Sequence, residues 1–421
     1  LSLLRQYARQ GSASILGLCL LAQTTIAFAV PLTVEQAVNM ALENHLDIKK
    51  AVNSEKQAEY ALESAKGSRG FSIDASNTFY LKRINYPANS SSSAITLSLP
   101  LYTGGKNEGN IEIAKTDLTI AGLSLLKTKQ DVKLNTITAY YDVIEARKTQ
   151  AVDQETVDNY VKHLNDVKAQ YSVGNIAKSD VLRSEVELTD AQQTLIKAKN
   201  AYEVAINNFK NMIRWKSSEA IEFVEDFQYV PVNKTMDECV AYAKEHRPDV
   251  KKYRLAIDET EKTVEVTKAD KKPSVSLTAA TGWHSTVLPN DDNKNTYVGI
   301  TSSWNLFDSQ VTNAKVKKAI NAVENARLDL TAQEDSVELS VKEYYLGMRE
   351  AEKRIATTKF AVHKAEEDYF IAKEKYRVGE GIILDVIDAQ LALTTAKNNY
   401  ITAQYDYVTY KAKLENAMGI D

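Results

Sequence analysis

One turn signal occurs twice in this chain, 205 positions apart. Tyr171-Ser-Val173-Gly174 leads through Asn-Ile-Ala-Lys-Ser179 to Asp180-Val181-Leu182. Tyr376-Arg-Val378-Gly379 leads through Glu380-Gly-Ile-Ile-Leu to Asp385-Val386-Ile387. Each signal interrupts a long 3-4 apolar spacing. The approach to the first runs Ile111, Ala114, Leu118, Ala121, Leu125, Thr128, Val132, Asn135 and Ala139, and the return runs Val181, Ser184, Leu188, Ala191, Leu195, Ala198, Tyr202, Ala205, Phe209 and Met212. After the second signal, Val386, Ala389, Leu393, Ala396, Tyr400, Ala403, Tyr407, Tyr410, Leu414 and Ala417 repeat the pattern. These are coiled-coil seams, and each glycine suits a chain reversal at positive φ. The pattern predicts two helical hairpins. The outgoing arm, from about Lys106 to Tyr171, is about 100 Å long at ~1.5 Å per residue. By themselves the heptads favour a plain coiled-coil spacer.

The duplication extends beyond the tips. Thr33-Val-Glu-Gln36 and Thr235-Met-Asp-Glu238 are capping boxes, a hydroxyl at the N-cap with Gln or Glu three residues on. Asp47-Ile48-Lys49-Lys50 recurs as Asp249-Val250-Lys251-Lys252 at a separation of 202, and Pro248 hands one short helix over to another. Tyr140 and Asn211 recur as Tyr345 and Asn416 at 205, which places a three-residue insertion in the second copy's strand loop. Four segments between these helices alternate with period two. They run Phe71 to Leu81, Ile95 to Leu101, Val275 to Trp283 and Val298 to Leu306, joined by polar loops at Asn85 to Ser93 and His284 to Asn295. One face is apolar and the other small and polar, as in a water-filled membrane barrel, with Tyr102, Trp283 and Trp304 near strand ends. A half-buried soluble sheet gives the same alternation.

Residues 1–29 have the build of a secretory signal. Arg5 and Arg9 precede an apolar run from Ile15 to Ala22, and Ala27-Phe28-Ala29 is a cleavage site. The run is too short to span a bilayer. Its removal takes the net charge of the 421-residue chain from −4 to −6 and leaves Cys239 as the one cysteine, excluding an intrachain disulfide. An acidic balance argues against a nucleic-acid partner. The expected organisation is a signal peptide at 1–29, a first repeat at 30–215, a linker at 216–234 and a second repeat at 235–421. No later apolar stretch reaches transmembrane-helix length, so membrane crossing requires a β-barrel. Four strands cannot close one, because the smallest use about eight. Three copies supply twelve strands, and closed rotational symmetry is the usual solution for oligomers.

Taken together, these residues resemble the TolC family of outer-membrane efflux proteins. The resemblance covers the whole mature chain and rests on the duplicated unit, the run Pro100-Leu-Tyr-Thr-Gly-Gly105, the run Leu306-Phe307-Asp308 and above all the tip from Tyr376 to Gln390. It implies a homotrimer with a twelve-stranded barrel in outer-membrane lipid and an α-helical tunnel across the periplasm. A mixed belt would surround the middle, with residues 216–233 and the capped short helices as candidates. It also implies a passive exit duct working with a periplasmic adaptor and an inner-membrane pump, for efflux or type I secretion. Asp385 and Asp388 match a carboxylate ring at the periplasmic entrance, and their spacing of three puts them on nearly one helix face. A ring of like charges attracts cations and raises its members' pKa values. The pair would equally suit the first turn of a returning helix. Ser179, Asp180, Tyr376 and Glu380 match a network that closes the entrance, though Gly381 stands where an arginine is expected and removes a bidentate clamp. Val173-Gly174 and Val378-Gly379 match tips that dock on the adaptor.

No catalytic or cofactor motif appears, and His45, His163, His246, His284 and His363 lack metal-ligand spacing. Neither catalysis nor a cofactor is expected. The competing reading is a periplasmic coiled-coil scaffold or adaptor with a soluble sheet, which fractionation would separate from an outer-membrane channel.

Overall fold

The computed structural model describes residues 30–80, 90–217, 219–224, 227–284 and 294–420. The expected signal peptide and its cleavage site lie outside the described residues, as do 81–89 and 285–293 of the two expected strand loops. The chain begins with β1 (Val30–Leu32), α1 (Val34–Asn44), α2 (Leu46–Gly67), β2 (Ser72–Tyr80), β3 (Ser90–Tyr102), α3 (Lys106–Ser172) and α4 (Lys178–Met212). It continues with β4 (Ile221–Phe223), α5 (Met236–His246), α6 (Pro248–Ala269), β5 (Ser274–His284), β6 (Lys294–Ser303), α7 (Val311–Arg377) and α8 (Ile383–Met418). The order α-α-β-β-α-α therefore occurs twice, with β1 and β4 outside it.

Local chemistry sets the helix starts. Thr33 and Thr235 each accept from the N3 backbone, and Gln36 and Glu238 each reach back to the N-cap amide, closing two capping boxes. Pro248 occupies the first turn of α6, where its missing N–H costs nothing. α3 and α7 are each 67 residues long, about 100 Å of unbroken helix at ~1.5 Å per residue.

The helices form a slab. Toward the tips its lateral order is α4, α3, α8, α7, and toward the sheet it is α2, α3, α6, α7. The return seams are buried or half-buried from Val181 to Met212 and from Val386 to Ala417. The outgoing seam departs from expectation at Asn135, which is exposed, while Val132, Thr136, Tyr140 and Val143 are buried. A straight helix of 3.6 residues per turn drifts against a strict heptad, and here α3 turns toward α1 and β1.

Two cores sit at mid-height. In the first, Tyr140, Phe209 and Phe223 are nearly sealed and meet edge-on, with centroids 5.2 to 5.7 Å apart. The Tyr140 hydroxyl donates to the Leu32 carbonyl at 2.8 Å. In the second, Cys239, Ala243 and Val250 pack on Val337, Val341, Met348 and Leu414. Within the first core β1 pairs with β4 in parallel. The stretch expected to be a linker thus carries a strand, and its extended end is held by the Tyr407 hydroxyl donating to the Val230 carbonyl at 2.7 Å.

The sheet is antiparallel in the order β2-β3-β5-β6, leaving β2 and β6 as edges among the described residues. Ser72 pairs with Ser98, and Ser274 with Ser303. Those registers are offset by 202 on one strand and 205 on the other, so the three-residue insertion falls inside the second hairpin, as expected. Ile73, Leu97, Ala279 and Val298 line up on one face, and Asp74, Thr96, Ala280 and Tyr297 on the other. The strands differ from the alternation at their ends. β3 begins at Ser90, since a serine run pairs through backbone while showing no apolar period. His284, Lys294 and Asn295, expected in a loop, also belong to strands. β6 ends at Ser303, and the Trp304 indole instead donates to the Lys271 carbonyl at 2.9 Å. Pro100 is tolerated in a central strand because a bulge follows it.

Candidate functional site

The far end of the slab, opposite the sheet, gathers every site residue expected from the sequence. Each tip closes its outgoing helix with backbone hydrogen bonds. Gly174 and Asn175 donate to the carbonyls of Tyr171 and Gln170, both at 3.0 Å. Gly379 and Glu380 donate to those of Tyr376 and Lys375 at 3.1 and 2.9 Å. Gly174 at φ 81° and Gly379 at φ 83° occupy the left-handed region, yet nothing lies within 4 Å of a Cβ at either position. The requirement for glycine is thus conformational, not steric. Beside them Val173 and Val378 stand in solvent, 69% and 59% exposed.

Asp385 and Asp388 both lie on the exposed face of α8, while Ile383, Val386, Ile387 and Ala389 are buried against the rest of the tip. The two carboxylates sit within two turns of the helix start and point away from the core. Their side chains leave the same face, as the spacing of three predicts.

The residues matched to closure are brought together only in part. Tyr376 is buried, and its hydroxyl has no hydrogen-bond partner. Burial pushes its phenol up, and the nearby carboxylates of Asp180 and Asp166 push it further. Ser179 donates to its neighbour Asp180 at 3.4 Å. Glu380 is exposed, with no ion pair among the described residues. At Gly381 a Cβ would come within 3.1 Å of the Lys375 Cβ and the Tyr376 nitrogen. The end of α7 therefore lies close against that position. Arg377, the arginine closest to this turn, bonds within its own helix to Glu374 at 2.9 Å.

Beneath the tip lies a cluster that sequence reasoning passed over. Tyr160, Val167, Ala372, Tyr376 and Ile383 form its core. Burial pushes the Tyr160 phenol up to about 12, with Glu187, Tyr369 and Asp388 adding to it. His163 packs on Tyr376 with ring centroids 5.2 Å apart. It stood in the sequence as one of five scattered histidines, although its place beside Tyr160, Leu164 and Val167 on one helix stripe marked it as buried. Among the described residues no His, Cys, Asp and Glu group could hold a metal.

An apolar sheet face joined to long hairpins with charged, solvent-facing tips defines the protomer of an outer-membrane channel. No helix among the described residues is long and apolar enough to cross a membrane. The family model described as outer membrane efflux protein matches residues 37–213 and 240–420, and the chain belongs to that family. Outer membrane protein TolC of Escherichia coli is 22% identical over 349 residues, covering 79% of this chain and 70% of that protein. Alkaline protease secretion protein AprF of Pseudomonas aeruginosa is 23% identical over 299 residues, covering 69% and 62%. The solved structure of outer membrane protein VceC from Vibrio cholerae shares the fold at a TM-score of 0.78 and 17% identity, covering 92% of this chain and 96% of that one. This chain is an outer-membrane efflux channel protein.

Proposed function

We propose that the chain is the exit duct of a tripartite efflux or type I secretion assembly, passively conducting cargo that an inner-membrane pump and a periplasmic adaptor deliver. The observation that carries this reading is the open sheet of four strands. Its apolar face leaves Ile73 and Val298 61% and 73% exposed, and its edge strands have no further strand partner among the described residues. Unpaired strand edges in lipid cost several kcal/mol per backbone group, roughly. Three copies close a twelve-stranded barrel, and their slabs close a tunnel of twelve helices at each level. The two flanks of the slab bear the apolar side chains this needs, with Leu182, Val186 and Ile196 exposed on α4 and Leu339, Leu346 and Phe360 on α7. In this reading residues 30–215 and 235–421 are the two repeats, and 216–234 forms the belt between them.

Threefold symmetry turns Asp385 and Asp388 into two stacked carboxylate rings at the periplasmic entrance. Tyr376, Ser179, Asp180 and Glu380 close that entrance without an arginine clamp, and the tips at Val173-Gly174 and Val378-Gly379 dock on the adaptor. Single-channel recording in planar bilayers tests the entrance. Asp385→Asn with Asp388→Asn should weaken block by hexaamminecobalt(III), a multivalent cation that binds acidic rings. Block unchanged in the double variant would refute the ring.

A further inference from the structure

Two aromatic side chains in contact in the tip core each hold a polar atom without a partner. His163 on α3 and Tyr376 on α7 are each about nine-tenths sealed, with 6% exposed. The His163 Nε2 and the Tyr376 hydroxyl are buried and unbonded, although the two rings are in contact at 60° and 5.2 Å. Buried polar groups in native proteins are nearly always paired, so an unpaired couple here calls for a function. The cluster around them is mostly apolar: Val167 on α3, Ala372 on α7, and Ile383, Val386 and Ile387 on α8, with the phenols of Tyr160 and Tyr369. A neutral imidazole fits such a site as a flat apolar ring. An imidazolium would be a charge with at least one N–H unanswered, which the site penalises heavily.

We propose that His163 is the positioning residue of the entrance, holding Tyr376 in the closed tip while neutral and releasing it when protonated. This rests on the reading of the tip as the channel's periplasmic entrance. The charged groups around the ring come from every helix packed there. Asp166 on α3 favours the imidazolium and Lys373 on α7 opposes it. Asp180 on α4 acts on Tyr376, and Glu187 on α4 and Asp388 on α8 act on Tyr160, one turn away. Burial, the largest influence, holds the histidine below its ordinary value. The sign follows. The closed tip has its full stability above the ordinary histidine range and loses it as pH falls through that range toward the lower, buried value. Acid on the periplasmic side therefore loosens the entrance, and the tip responds to pH without any ligand.

The test is single-channel recording of the assembled full-length protein between pH 7.5 and 5.0, in an Asp385→Asn, Asp388→Asn background that removes titration of the proposed rings. The expected result is a rise of about threefold or more in the open-to-closed ratio. That rise should vanish in His163→Phe, which keeps a buried ring that cannot titrate, and in His163→Gln. An acid response that survives both His163 variants would overturn the proposal, as would a background channel that shows none. If the carboxylate variants leave cation block unaltered, the entrance reading fails first. If they alter it and the His163 variants keep the acid response, only the histidine assignment fails.

Discussion

Replacing Gly379 isolates what the backbone of one tip contributes. The residue sits at φ 83°, and no atom lies within 4 Å of where a Cβ would stand. Alanine there brings no clash, so its whole effect is the cost of left-handed backbone for an L-residue, about 1–2 kcal/mol. That cost falls on a turn held by hydrogen bonds from Gly379 to Tyr376 and from Glu380 and Gly381 to Lys375. At about 1.4 kcal/mol per factor of ten, exchange of the Glu380 amide should quicken about 5- to 30-fold. Gly379→Asn should lie between alanine and the parent, because asparagine tolerates this conformation better. Gly379→Pro should break the turn outright, since proline fixes φ near −65° and removes the bond to Tyr376. Hydrogen exchange read by mass spectrometry reports the first two, and export assays with a check of assembly report the third. The tip is remote from the mid-height cores, so thermal unfolding should stay put in all three. Equal exchange rates in glycine and alanine forms would refute the reasoning, because the turn would then not be held where the structure puts it.

Two further outcomes follow from the mid-height cores. Phe209→Ala removes a ring with no exposure that touches Tyr140 and Phe223, and should cost about 3–5 kcal/mol in denaturant titration. The second concerns Asp249, which bonds Arg247 at 2.6 Å, the Val250 amide at 3.0 Å and Gln333 at 3.0 Å. Burial pushes its carboxyl up, but Arg247, the Val250 amide and Lys127 together more than reverse this and leave it below the usual carboxylate range. The stabilisation is therefore complete above that range and lost as pH falls through the lowered value. Asp249→Asn should flatten the acid limb of a melting-temperature profile, and a limb of unchanged slope would count against the pairing.

The hairpins, caps and strands were legible because each is written in local chemistry. Thr33 and Thr235 announce helix starts within four residues, Gly174 and Gly379 mark the reversals, and Ile73 or Val298 show their face by alternation. Elements whose reason lies far off in the chain were not legible. β1 and β4 have three residues each and no period, and Val30 meets Ile221 only through the fold. Asn135 matched the heptad yet faces solvent, because α3 shifts its buried stripe where α1 arrives. At the tip the acidic residues stood out by type, whereas His163 was hidden by being ordinary. Its importance comes from Tyr376, more than two hundred residues later, and from the mostly apolar cluster around both.

α3 and α7 pass from sheet to tip with no joint, while their partners change midway from α2 and α6 to α4 and α8. A seven-residue insertion adds two turns, about 10 Å, and preserves which stripe faces inward. Placed in only one arm, it would slide every knob past its hole. The reach of such a shaft is therefore quantised: evolution can lengthen it only by matched heptads in all four lower arms together.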